Sequence, residues 1–447
     1  MAIEVRIGQS GRHSMRPYNP GMTDRQRGPL TLALSVILHA FTHAYGTMLV
    51  PLYLMIAADL HLPGVKRAAL IVTVYLLVYS FGSYGAGVLA DRYSRRALLG
   101  WGLIFNAAAI IAIGFTRDYP MLLLLAVVGG AAGTLFHPAA NSLVSEHFNR
   151  SPGMAIGLLG MGSGLGFFAG PQYAGWRAET AHWTLWHVAN WQRPCVELGV
   201  MGIFVGVLFL IFGREARTIR PSAASREQIH PPLSPSLRKK VIGIAAILSF
   251  RDFAGIASLT LASIYLQKAM GLDAKRTGFI VGAMMLIGIV ANPLAVYLTP
   301  RGKRLPGLVI VLIAGGVAIA AVPFFGRAHV LLGLCLFQAF QLGSYAISDA
   351  AMLERVVANV RGRLVGIFLS IAGTIAGASP WLMGYWTDSF GADAARPMRY
   401  LAPFAALGIM MVLAVGAIPL IRSLGVPGTE TIEPITEIDP RTMGVAV

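Results

Sequence analysis

Twelve apolar runs, each long enough to cross a bilayer and each closed by a polar turn, dominate this sequence. Hydrocarbon offers no partner for backbone N–H and C=O groups, so a chain crossing it repeatedly must do so as helices or a closed barrel. Helices need roughly 20 apolar residues per crossing and strands only about 9–11, so runs of this length are helical. The spacing predicts helices at 30–57, 67–90, 97–115, 120–142, 152–175, 196–213, 241–268, 277–299, 306–325, 328–352, 363–387 and 399–421. Only 13% of residues are charged, against about 25% in soluble domains. The class is an all-α membrane protein.

The longest polar interruption, 214–240, holds seven Lys/Arg and four Pro, the composition of a linker. It divides the chain into a tail (1–29), a six-helix bundle (30–213), the linker, a second six-helix bundle (241–422) and a C-terminal tail (423–447) with no apolar span. The tail before the first helix is polar and basic without an apolar core, so no cleavable signal peptide is expected and the first helix directs insertion. The net charge of +16 could suggest nucleic acid, but the basic residues sit in short turns between spans, where they set topology. The two tails and the even-numbered turns hold 24 Lys/Arg, the odd-numbered turns 11, and Arg251 lies inside the seventh helix. Both termini are therefore expected in the cytoplasm. Cys195 and Cys335 lie in or beside apolar segments, which implies neither a disulfide framework nor a metal site.

The two halves are related by a constant offset of 209 residues. Gly157 maps to Gly366, Gly170-Pro171 to Ser379-Pro380, Gly175 to Gly384, Leu89 to Leu298, and Arg92 to Arg301. Duplicated halves imply a central pocket opened alternately to each side by rocking.

The turn 87–96 reads Gly-Val-Leu-Ala-Asp-Arg-Tyr-Ser-Arg-Arg. Gly87, Asp91, Arg92, Arg95 and Arg96 in this arrangement resemble the loop 2–3 signature of the major facilitator superfamily, with Ser94 where that signature usually has Gly. Gly166, Gly170, Pro171 and Gly175 in the fifth helix resemble the "antiporter" motif of its exporters. The stretch Gly133-Thr-Leu-Phe-His137-Pro138 and His39 are similar to the fosmidomycin-resistance branch, which exports small anionic drugs in exchange for protons. Two positions depart from that branch: His43 and Ala139 stand where acids, natural proton carriers, would be expected.

What the resemblance implies is a twelve-helix fold of two pseudo-symmetric bundles in the cytoplasmic membrane of a bacterium. It would act as a monomer among lipids, exporting a small organic molecule, anionic in the first reading, by proton antiport. Proton-coupled uptake of a small metabolite is the alternative, and a non-transporting receptor a more distant one. No Walker A pattern occurs, and neither cofactor nor catalytic constellation is expected.

The candidate gate is the 87–96 turn, in which Asp91 is expected to face the start of the eleventh helix. The same charges could instead serve topology alone. His39 and His43 share one face of the first helix, where an ionisable group suggests substrate or proton binding. They could equally be satisfied by hydroxyls of neighbouring helices, and a pair alone is a poor metal site. His137 precedes Pro138, where a kink could turn it to the cavity or merely pack it. Arg251 and Asp252 lie deep in the seventh helix. Adjacent helical residues diverge by roughly 100°, so they are expected not to pair. Arg251 would attract an anion, and Asp252, with His43 at the pseudo-equivalent place, would titrate; a structural charge network is the rival. Gln338, Gln341, Tyr345 and Ser348 form a polar stripe that lines either the cavity or a helix seam. Asp349 is expected at the gate with Glu354 and Arg355. The loop 176–191, with four Trp and two His, is an interfacial anchor or a lid.

Overall fold

The computed structural model describes residues 22–148, 151–180, 188–215, 234–356 and 361–425. Most of the two tails and of the linker, the centre of the Trp-rich loop, and the residues just before the eleventh helix lie outside the described part. The contact expected between Asp91 and that helix start falls there too.

The spans are α1 (Gly28–Asp59), α2 (Val65–Phe81 and Ser83–Arg92, bent at Gly82), α3 (Arg95–Ile113), α4 (Tyr119–His147), α5 (Gly153–Glu179) and α6 (Arg193–Phe212). The second half holds α7 (Pro235–Lys268), α8 (Ala274–Leu298), α9 (Arg304–Ala320), α10 (Val330–Leu353), α11 (Leu364–Asp388) and α12 (Pro397–Arg422). Ten of these helices, or eleven with bent α2 taken as one, are long and apolar enough to cross a bilayer, and α9 is a shorter apolar helix; in order they follow the twelve expected runs, with ends moved by a few residues. The caps are legible locally. Ser94, Asp118, Ser234 and Asp273 each accept the backbone N–H three residues on, at 3.2, 2.7, 3.2 and 2.7 Å.

Within the first bundle α5 presses on α1. Gly162, Gly166 and Gly170 sit against the backbone of Val36, Ala40 and Ala44, so a Cβ at any of them would overlap main-chain atoms. Small residues four apart on one helix let two backbones touch, the form of packing that replaces the hydrophobic effect in lipid.

The bundles meet along two seams, α5 with α8 and α2 with α11. Both seams are tight at the end away from the 87–96 turn. Gly175 lies on the Ala274 carbonyl, Gly278 on that of Pro171 and Gly384 on the backbone of Lys66. Toward the turn they part: a Cβ at Gly153, Gly157 or Gly160 on α5, or at Gly366 on α11, would meet nothing within 4 Å among the described residues. The molecule is closed at the end away from the 87–96 turn, the outer end if the basic turns face the cytoplasm, and splayed at its basic end.

Two carboxylates hold the outer end. Val65 and Lys66 donate backbone N–H groups to Asp388 at 2.9 and 3.0 Å, so the last residue of α11 caps α2. Ala274 donates its N–H to Glu179 at 3.1 Å, so the last residue of α5 caps α8. The pairs obey the offset of 209: Glu179 maps to Asp388 and Val65 to Ala274. A third tie runs from α1 to α7. Pro51 breaks α1 into a 3-10 turn at Val50–Leu52. The carbonyls of Val50 and Pro51 accept from Ser263 at 2.7 Å and Gln267 at 3.1 Å.

At the basic end Arg95, Arg96, Arg301 and Arg304 find partners within their own bundles. Arg95 pairs with Glu146 at the end of α4, and the Arg96 guanidinium donates to the Leu210 carbonyl. Glu215 accepts the backbone N–H groups of Arg95 and Arg96 at 3.1 and 3.0 Å. The second half repeats the pattern, with Arg304 at 2.8 Å and Arg301 at 3.3 Å from Glu354 at the end of α10. Arg355 instead donates to the Ala351 carbonyl at 2.7 Å.

Hydrogen bonds to a charged acceptor contribute about 1.5–3 kcal/mol each, and those of Asp388 and Glu179 exist only while the outer end is shut. The double variant Asp388→Asn/Glu179→Gln is expected to raise outer-side thiol labelling of Thr260→Cys by roughly tenfold, from about 1.4 kcal/mol; unchanged labelling would overturn the latch. Hydrogen bonds from Arg304, with its charge and that of Arg301, hold the Glu354 carboxyl below its ordinary range. A depressed carboxylate stabilises the fold above its unfolded pKa, and loses that contribution as pH falls through the folded one. The Tm gap between wild type and Glu354→Gln should therefore be full at pH 7 and close as pH drops below the ordinary value of 4.5.

Candidate functional site

Between the bundles lies a cavity of about 190 Å³, many times the ~10–15 Å³ that one water requires. Its wall draws on both halves: His43, Thr47, Tyr75, Tyr79 and Phe167 from the first, Asp252, Thr260, Tyr345 and Phe368 from the second.

On the first-bundle side three histidines converge. The i, i+4 spacing stacks His39 and His43 on one face of α1, with Nε2 atoms 3.1 Å apart. Gly162 brings α5 close enough that His39 Nδ1 lies 2.7 Å from the Leu159 carbonyl. Pro138 lacks the N–H that would bond the Thr134 carbonyl, and α4 is interrupted between Gly133 and Phe136. His137 follows that break, its ring centroid 5.0 Å from His39 and 5.5 Å from His43. Sequence spacing offered a pair; the fold supplies the third member. The Tyr79 hydroxyl, buried beside them, has no hydrogen-bond partner among the described residues.

The second-bundle side corrects one expectation. Arg251 and Asp252 do pair: Nε and Nη2 each lie 2.8 Å from Asp252 Oδ1. The 100° divergence applies at Cβ, and the long arginine side chain swings back around the helix. Arg251 is 0% exposed and lies behind the cavity wall. Its guanidinium stacks 3.7 Å from the Tyr345 ring centroid and donates to Ser348 at 2.8 Å. Asp252 and Tyr345 form the wall in front of it, and Asp349 lies in electrostatic range.

The polar stripe of α10 divides. Tyr345 reaches the cavity, while Ser348 serves Arg251. Gln338 and Gln341 are buried among α7, α8 and α10 of the second bundle and bond each other, Nε2 to Oε1 at 3.1 Å. The sequence reading missed Tyr75, Tyr79, Thr260 and the aromatic residues Phe167 and Phe368. Nothing but three-dimensional position separates them from other apolar or hydroxyl residues of spans. Gly166 and Gly170 touch α1 and Gly175 touches α8, so the motif glycines shape helix contacts and not the cavity wall.

A family model described as Major Facilitator Superfamily matches residues 32–378. A probable L-galactonate transporter of Escherichia coli (strain K12) is 24% identical over 75% of this chain and 78% of the relative. The quinolone resistance protein NorA of Staphylococcus aureus (strain MRSA252) is 21% identical over 51% of this chain and 56% of its own length. A crystal structure of a bacterial homolog of the human lysosomal transporter Spinster, inward-facing and unoccupied, superposes with a TM-score of 0.71 at 16% identity, over 91% of this chain and 97% of the other. With the family model spanning more than half its length and twelve spans folded in two bundles, this chain belongs to the major facilitator superfamily of membrane transporters.

Proposed function

We propose that this chain carries a small organic anion together with protons, by alternating access across the cytoplasmic membrane of a bacterium. The excess of Lys/Arg in the tails and even-numbered turns supports a cytoplasmic basic end. The observation that carries the reading is the Arg251–Asp252 pair at the cavity wall.

Anion binding and protonation are linked. Arg251 is held by an internal carboxylate, and a substrate carboxylate that is to use Arg251 must compete with it. A proton on Asp252 removes that competitor. Anion and proton then favour each other's binding, and the effect is reciprocal. Ligands that reinforce each other move together, which is symport and the uptake reading. Tyr345, stacked on the guanidinium, would turn aside to admit the anion. Thr260 and Tyr79 supply hydrogen-bonding groups of the sort a hydroxylated acid needs. The similarity to a probable L-galactonate transporter supports this substrate class.

The second reading is export of a small organic molecule or drug in exchange for protons. It is favoured by the likeness to NorA and by the aromatic faces of Phe167 and Phe368 on the cavity wall. It requires a substrate that competes with the proton at Asp252, hence a neutral or cationic one.

Purified protein in proteoliposomes separates the two. With the basic-end compartment alkaline, labelled L-galactonate or a related aldonate should accumulate there; flow against the proton gradient would overturn symport. In Asp252→Asn, accumulation driven by the pH gradient should fall roughly tenfold or more, within the usual range of coupling energies, while gradient-free exchange persists. Loss of both together would place Asp252 in folding or binding and not in coupling.

A further inference from the structure

The histidine trio is not used by the coupling just described. The candidate ligand nitrogens of His39, His43 and His137 all lie within 4.8 Å of one another. Nε2 of His39 and Nε2 of His43 are 3.1 Å apart. Two nitrogens bound at about 2.0–2.1 Å to a tetrahedral ion stand roughly 3.3 Å apart, so this pair already has the spacing of two ligands on one ion. The His137 ring centroid lies 5.0 Å from that of His39 and 5.5 Å from that of His43, so its nitrogen must draw closer for the three to share one ion.

The protonation pattern fits as well. A carbonyl oxygen only accepts, so the 2.7 Å contact to Leu159 fixes the proton of His39 on Nδ1. Its Nε2 is left with a lone pair that accepts the His43 Nε2–H, and an ion bound there takes the place of that proton, which moves to His43 Nδ1. A ligand imidazole whose other nitrogen donates to a backbone carbonyl is the usual outer arrangement of metal-bound histidine. The rings are also held. Phe136 stacks on His39 at 4.7 Å and Phe167 lies 4.3 Å from His43, between centroids.

We propose that His39, His43 and His137 form a binding site for a divalent transition-metal ion of the Zn²⁺ type. His39 and His43 bind through Nε2 and His137 through one ring nitrogen. Three imidazoles leave a tetrahedral ion one open position. His43 lines the cavity, so that position faces the space in which a small ligand would sit. Imidazole donors without a carboxylate suit Zn²⁺, Cu²⁺, Co²⁺ or Ni²⁺ and exclude Mg²⁺ or Ca²⁺, which take oxygen ligands. All three ligands belong to the first bundle, on α1 and α4, so the site is complete without the second.

The test uses the full chain, purified in detergent, stripped with chelator and titrated with Co²⁺ and then Zn²⁺. One Co²⁺ per chain is expected, with the intense visible bands of a tetrahedral ion, displaced by Zn²⁺. Zn²⁺ at a hundred times its Kd should raise the Tm of wild type and move that of His137→Gln several times less. In His43→Gln and His137→Gln, Co²⁺ affinity should fall at least roughly a hundredfold, while His329→Gln, far from the trio, binds as wild type. If a variant fails to fold, the wild-type Co²⁺ spectrum decides alone. Octahedral bands, no saturable binding, or affinity unchanged in His137→Gln would each overturn the site.

Discussion

Closure of the outer end rests on carboxylates that cap helices of the opposite bundle. A helix start leaves backbone N–H groups without partners, and in this fold two such starts lie at the bundle seams. Asp388 and Glu179 satisfy those of α2 and α8 from across the seam. Hydrogen bonding and helix dipole act in the same sense. Gly64 permits the approach: its φ of 155° is open chiefly to glycine, and a Cβ there would overlap the Asp388 carboxylate. Because the two contacts are equivalent under the internal repeat, opening breaks them as a pair. The seal combines these polar caps with the close backbone contacts of Gly175, Gly278 and Gly384 across the same seams.

The same economy governs the middle of the membrane. A lone arginine there is costly, by about 2.5–3.5 kcal/mol even on scales that allow relaxation. Arg251 is neutralised by Asp252, covered by Tyr345 and hydrogen-bonded by Ser348. A buried pair of this kind adds little net stability, yet removing one partner strands the other. On the proposed coupling, that asymmetry lets the pair act as a switch, in which neutralising Asp252 would free Arg251 for another anion.

Much of this was legible in the sequence, and the part that was not has physical reasons. Hydropathy alone placed twelve spans, since lipid permits few other solutions. The 17-residue α9 is the shortest, and its polar neighbours mark it as well as its length does. The arginines of the 87–96 turn and of its repeat could be read, and Glu354 was expected near the gate, but not the partners Glu146 and Glu215, which are unremarkable residues of a helix end and the linker. The Asp388 and Glu179 caps lay within reach: carrying the offset of 209 to the outer helix ends pairs them. The Arg251–Asp252 pair was misread, since helical periodicity orients Cβ and not the tip of a long side chain. His137 was visible as a candidate but not as a neighbour of His39, which depends on how closely α4 and α5 pack on α1.

That packing also separates the two chemistries of the cavity. The glycines of α5 lock it to α1, and both histidines of α1 are held between α5 and α4, so the trio travels with the first bundle as one rigid piece. Arg251, Asp252 and Tyr345 sit on α7 and α10 and travel with the second. Rocking of the bundles, as the proposed alternating access requires, would leave each cluster internally intact and change the gap between them. A ligand bridging His43 and Asp252 across the cavity would therefore sense the conformational state directly, while an ion held by the three histidines would not.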